Sequence, residues 1–426
     1  MRIALPYGSG RLEAEVPDHA VVLTPRPVAG LPDERGAVLA ALRHPIGSRP
    51  LKDLLRPTAR VVVVTADITR PMPNDRVLPW LLEEVAAAGV PDDHVVLVNG
   101  TGTHRPNTPE ELNRMYGPDI VARYRVVNHD AFDDAALVHL GRVPTGAEVY
   151  LNRTVVEADV KIITGFIEPH FFAGFSGGPK GLFPGVAGIR SIMHFHNAAM
   201  IGHPRATWGV LDGNPLQEEA RAVWDLVRPD FLLNVTLNAD RRITGVFAGG
   251  MPDAFEAGCR FEREVAMTPV PAPFDVVVTT NSGYPLDQNL YQAVKGMSAA
   301  AEIVRPGGTI VAVAECRDGV PDHGRFKEIL KLRRTPQELL ELIHQPDFHM
   351  FDQWEAQKLA TVLLKARVIL VSSLDDQVVR DALLEPAPSV EAALARALAA
   401  HGPDARIAVL PEGPMTIPYV AQSVPA

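Results

Sequence analysis

The sequence predicts an α/β protein: two α/β domains with mostly parallel sheets and an active-site cleft between them. Three observations carry this. Seven short runs are apolar throughout rather than alternating, as strands covered on both faces should be. Helical patterns lie between many of them. A chain of 426 residues, 46% hydrophobic and 22% charged, is long for one core and apolar enough for two.

The predicted strands, in order, are RVVVVTAD (60–67), HVVLVNG (94–100), VKIITGF (160–166), DVVVTTNSG (275–283), GTIVAVAE (308–315), VILVSS (368–373) and RIAVLPEG (406–413). LPWLLEEVAAAGV (78–90) has helical spacing and a glycine stop, and PQELLELIHQ (336–345) and VEAALARALAAHG (390–402) have the same spacing. The proline-rich TPVPAPFD (268–275) reads as a linker. The expected division is therefore a cofactor-binding domain over 1–270 and a second α/β domain over 271–426, with the final residues free to pack back on the first.

A net charge of −10 repels phosphate backbones, so nucleic acid is not an expected partner. The basic run RFKEILKLRR (325–334) reads as a solvated helix face. Cys259 and Cys316 stand too far apart in sequence to suggest a disulfide framework or a cysteine-rich zinc site. No run approaches the roughly 18 to 20 apolar residues of a membrane span, and the first residues lack the pattern of a signal peptide. The expectation is a cytoplasmic protein without membrane partners.

In open α/β sheets ligands gather beyond the carboxyl ends of strands, which singles out four clusters. TADITRPMPN (65–74) carries Asp67 and Arg70, suited to gripping a ligand's hydroxyl and carboxylate or to pairing with each other. NGTGTHRPNT (99–108) carries His104, a side chain that titrates near neutrality. EPHFFAGFSGGPKG (168–181) carries His170, Ser176, Gly177, Gly178 and Lys180. It resembles a phosphate loop but breaks its rules: Pro179 removes a backbone donor, and Gly181 stands where Ser or Thr belongs. A buried lysine that loses its proton is a nucleophile, so the loop fits covalent attachment better than charge pairing. His194 and His196 follow; on a helix they diverge by about 200° and cannot easily share one metal. LDQNLYQAVKGMSAAAEIVRPGG (286–308) places Tyr291 and Lys295 on one helix face with Gln292 beside them, and its small-residue helix is expected to run on to the glycine turn.

Together these clusters resemble the lactate racemase family, whose cofactor is a nickel-pincer nucleotide. The resemblance runs from about residue 60 to 300 and is strongest in GFIEPHFFAGFSGGPKGLFPGVAG and in VLDGNPLQEEA (210–220). It implies a racemase or epimerase that inverts C2 of a 2-hydroxy acid by hydride transfer. It implies a pyridinium-3,5-bisthiocarboxylic acid mononucleotide tethered to Lys180, with nickel ligated by His196. His104 and His170 match the acid and base. Asp67, Ser176, Gly177 and Gly178 fall to the cofactor, and Arg70, Tyr291, Gln292, Lys295 and Trp354 to the substrate, with Trp354 near the nickel. Separate cofactor-synthesis proteins would load the enzyme. Two other readings of the same residues stand beside it: a metal-dependent hydrolase built on His104, His170 and Glu168, and a non-catalytic binding protein for a nucleotide or hydroxy acid.

Overall fold

The computed structural model describes residues 1–322 and 324–421. Two six-stranded sheets organise them. The first runs in the order Ile243–Gly249, Phe231–Leu237, Val160–Phe166, Val61–Ala66, Val95–Gly100, Arg125–Asn128. All neighbours are parallel except the first pair, which is antiparallel. The second runs Glu385–Pro386, Ala366–Val371, Val304–Val313, Phe274–Thr280, Ile407–Leu410, Val21–Val22, and is parallel throughout.

Each sheet is buried on both faces. Val62 and Val64 point into a core with Phe175, Phe183 and Trp224, while Val61 and Val63 point into one with Leu78, Leu81 and Phe231. In the second sheet Val277 and Ile310 face Met297 and Leu359, and Val276 and Val311 face Leu5, Val390 and Leu394. Two covered faces explain why the strands read as continuous apolar runs.

Several elements depart from expectation. The helix expected over 78–90 spans Asn74–Ala87, with Pro79 inside it; the apolar pattern marks its buried face and misses its polar first turn. The glycine turn expected to close the Leu290–Ile303 helix is part of the strand Val304–Val313, which pairs with Phe274–Thr280 across a register shift. The segment read as a linker carries the strand Met267–Val270, paired with Ile417–Val420. Among the described residues, no helix is long and apolar enough to cross a membrane.

Residues 1–23, grouped by sequence with the first half, lie against the second sheet. Val21–Val22 pairs with Ile407–Leu410, and Leu5, Ala14, Val16 and Ala20 pack among Val276, Val409 and Leu394. At the other end, Ile417 packs in the core that holds Phe171 and Trp208; residues 422–426 lie outside the described residues.

Candidate active site

The strands Val61–Ala66, Val95–Gly100 and Val160–Phe166 end beside one another, and the helices Leu290–Ile303 and Gln353–Lys365 of the second half close over them. The cavity between is lined by Asp67, Arg70, His104, His170, Ser176, Gly177, Lys180, His196, Tyr291, Gln292, Lys295 and Trp354. Twelve of the thirteen residues that the family resemblance assigns line this one cavity; Gly178 is buried against Phe255.

Local bonding sets each histidine's ring. His104 sits in a loop held by Thr101, whose hydroxyl donates to His129 O at 2.6 Å, and by a capping box between Thr108 and Glu111. Its Nδ1 lies 2.9 Å from Asp67 Oδ2. Facing a carboxylate, Nδ1 carries the proton, which leaves the Nε2 lone pair free. Burial opposes ionisation of Asp67, but His104, Arg70 and the Thr69 hydroxyl more than offset it and hold the carboxyl below its ordinary range.

His170 is set the opposite way. The strand pair Pro169–His170 and Gly174–Phe175 turns its ring back on its own backbone. Its Nδ1 accepts from Phe172 N–H at 3.4 Å and Ala173 N–H at 3.3 Å. Burial, then the charges of Lys180, Arg70 and Lys295, push it well below the usual histidine range. The neutral ring therefore carries its proton on Nε2. The segment VLDGNPLQEEA supports this hairpin: Asn214 Nδ2 donates to Phe172 O at 2.9 Å, and Gln217 Nε2 to Ala173 O at 2.6 Å.

His196 caps the helix Ile189–Phe195, and its Nδ1 lies 3.2 Å from Ile192 O. A carbonyl only accepts, so Nε2 is left as an unprotonated donor atom. Burial and then Lys180 hold the ring neutral, well below the usual histidine range. Trp354 stacks on it at 4.5 Å and 29°, and donates its indole N–H to Tyr291 Oη at 2.8 Å. His194 turns away to Glu219, at 3.1 Å, as the divergence on a helix requires.

Lys180 lies between the rings of Phe172 and Phe195, 5.6 Å from each centroid. Lys180 is partly buried, and it lines the cavity. Burial, then Arg70 and Lys295, lower it from 10.5 to about 7. The loop before it is compact because Gly177 and Gly178 take positive φ, +80° and +54°; a Cβ on Gly178 would stand 2.4 Å from the Phe255 ring. Asn234 accepts from Gly178 N–H at 2.8 Å and pins the loop to the sheet. Ser176 Oγ donates to Glu168 Oε1 at 3.3 Å, and the same oxygen pairs with Arg70 Nε at 3.1 Å.

Lys295 Nζ donates to Gln292 Oε1 at 2.5 Å. Burial and Arg70 push this lysine down, and burial pushes Glu355 up. Glu355 went unremarked in the sequence. It is 1% exposed, lines the cavity, and its Oε1 has no partner among the described residues. Its one sequence signal is its place next to Trp354. Asp352, left-handed at φ +70° and raised by burial to about 6, is a second such residue at the cavity's outer rim.

The family model described as Lactate racemase N-terminal domain matches residues 7–209, and that described as Lactate racemase C-terminal domain matches residues 270–417. The chain belongs to the lactate racemase family. It is 37% identical over 417 residues to the lactate racemase of Lactiplantibacillus plantarum, covering 96% of this chain and 98% of that one. The lactate racemase of Thermoanaerobacterium thermosaccharolyticum is also 37% identical, over 96% and 97%. The solved apoprotein of a lactate racemase from the same species superposes with a TM-score of 0.91 at 36% identity, over 98% of this chain and all of that one. A crystal structure of a Thermotoga maritima protein, 19% identical, shares the fold at a TM-score of 0.73, over 92% of this chain and all of that one. The family member described here is an enzyme, an isomerase of the racemase type.

The hydrolase reading finds no support in the geometry. Among the described residues no three His, Cys, Asp or Glu side chains group to hold a metal by themselves. Glu168, its third ligand, is bonded to Arg70 and Ser176.

Proposed function

We propose that this racemase inverts C2 of a 2-hydroxy acid, using a nickel-pincer nucleotide tethered to Lys180. The observation that carries the reading is the opposite proton inventory of the two cavity histidines: His104 offers a lone pair at Nε2, and His170 offers an N–H. Inversion through a planar 2-oxo acid needs one group to take the hydroxyl proton and another to return it on the opposite face. One inversion leaves His104 with an extra proton and His170 without its Nε2 proton; the reverse direction starts from that distribution, and repeated turnover in one direction requires proton exchange with solvent.

The donor set fits the cofactor. A lysine held near neutrality can form an amide-type bond that an ordinary surface lysine would not. His196 offers a single imidazole nitrogen, which suits a metal whose other donors arrive with the cofactor. When bound, that group supplies the hydride acceptor. The protein's own residues do the rest. Asp67 keeps His104 in the tautomer that accepts a proton and stabilises the imidazolium that results. The Phe172 and Ala173 amides keep His170 in the donating tautomer. Arg70 and Lys295 hold the carboxylate while the oxo group turns, and Gln292 aims the lysine. Trp354 fixes the plane of His196. Ser176, Gly177 and Gly178 present a compact loop against which a mononucleotide packs.

The named relatives act on lactate, so lactate is the first substrate to try. Protein produced together with the cofactor-synthesis enzymes should show a nucleotide-sized adduct mapped to Lys180 and about one nickel per chain, and should erase the optical activity of L-lactate or a longer 2-hydroxy acid. A chain with neither adduct nor nickel, under conditions that load a relative, would remove the cofactor assignment.

A further inference from the structure

Two grooves flank the segment Ile68–Arg70, each sharing lining residues with the central cavity, and they carry opposite charge. One is lined by Asp318, Asp322 and Asp352, with Asp67 and His104 at its inner end. Its arginine, Arg105, is already committed to Glu111 at 2.7 Å. The other is lined by Arg70, Arg76, Arg114 and Arg241 against the carboxylate of Asp75. Arg76 pairs with Glu34, and Arg241 donates to Tyr284 O at 3.1 Å. Arg114 stands exposed on the helix Pro109–Tyr116, with no ion pair among the described residues. Arg70 belongs to both this opening and the central cavity.

A chain of net charge −10 repels a monoanion as a whole, and a groove of one sign with low-dielectric walls can reverse that locally. An anion drawn along the arginines meets Arg70 as its last partner; Glu168 holds its Nε at 3.1 Å and Thr69 its Nη1 at 3.3 Å, which leaves Nη2 for the anion. An anion approaching from the other side must pass three aspartates first. We propose that the opening lined by Arg76, Arg114 and Arg241 is the entrance for the anionic substrate, and that the aspartate-lined opening is not. The proposal rests on the hydroxy-acid reading, because a 2-hydroxy acid is an anion at neutral pH.

The test compares kcat/KM for L-lactate in cofactor-loaded wild type, Arg114→Glu, Arg114→Gln and Asp318→Lys at low and high salt. For charges roughly 10 Å apart in water, reversing one sign is worth about twofold near 10 mM salt and is screened out near 0.5 M. Arg114→Glu should therefore lower kcat/KM about twofold at low salt, with kcat unchanged and the loss gone at high salt. Arg114→Gln should give about half that effect, which keeps the test alive if the glutamate variant folds poorly. Asp318→Lys, a reversal of the same size in the other groove, should raise kcat/KM by clearly less than Arg114→Glu lowers it. A gain in Asp318→Lys with no loss in the Arg114 variants overturns the entrance and leaves the racemase reading standing, as does a loss that persists at high salt. Loaded wild type that inverts neither lactate nor longer 2-hydroxy acids overturns both.

Discussion

Replacing Lys180 with methionine should stabilise the cofactor-free protein, by an amount that shrinks as pH rises. In the folded chain the amine titrates at about 7 against an ordinary 10.5; in the unfolded chain water surrounds it and the ordinary value returns. Between those pH values the unfolded chain holds a proton that the folded chain has released, so wild-type stability climbs with pH through this window. Below about 7 the cost of enclosing the amine is fully present. The gap, at about 1.4 kcal/mol for each pH unit, sets a ceiling of roughly 5 kcal/mol. Cavity water in reach of the amine reduces it, and about 2–4 kcal/mol at pH 7 is the expected gain for a side chain of similar length without charge. For a chain of this size that is about 2–4 °C in Tm. Calorimetric unfolding of wild type and Lys180→Met, both free of cofactor, from pH 6 to 10.5 gives the comparison. The variant should be the more stable at pH 6–7, and the two curves should converge above about pH 10. A constant offset across that range, or a variant less stable at pH 7, would refute the argument that burial and neighbouring cations hold this amine near neutrality.

The remaining expectations are brief. His104→Ala and His170→Ala should each lose about 10²-fold or more in turnover while intact mass still shows the Lys180 adduct; full turnover in either removes that ring from the proton chemistry. Asp67→Asn should lower kcat by at least about 10²-fold, because the amide no longer dictates the His104 tautomer, with KM changed far less. Trp354→Ala empties space beside His196 and should cost about 3–5 kcal/mol of stability, with faster nickel loss to a chelator from the loaded protein. Gly178→Ala sets a Cβ against Phe255 at a left-handed position and should cost about 2–4 kcal/mol, read by urea unfolding; a neutral result would mean the loop is not packed as described.

Much of the site was legible because it hangs on strand ends. Asp67, His104 and His170 each follow an apolar run that announces itself, and the glycine-rich stretch around Lys180 stands out by composition. The second half of the site was harder. Trp354 and Glu355 begin the helix Gln353–Lys365, which no strand precedes, and their approach to His196 depends on how two halves of the chain pack. The support of the His170 hairpin by Asn214 and Gln217 was hidden for a related reason: both bonds go to backbone carbonyls, which leave no complementary side chain to find. In the fold, the strands Phe231–Leu237 and Ile243–Gly249 went unread. The first breaks its apolar run with Asn234 and Thr236, and the second carries Gly245 in its interior and ends on Gly249; both depart from the Val- and Ile-rich pattern of the central strands.

The pairing of Val21 with Ala408 bears on how the polypeptide is made. The two residues stand 387 positions apart. During synthesis at about 5–20 residues per second, the first strand of the second sheet must wait roughly 20 to 80 seconds for its neighbour to be translated. The first sheet, whose strands all lie between Val61 and Gly249, has every partner available well before then. Its core can form at the ribosome, and the cleft is completed last, when the chain's end returns to its beginning.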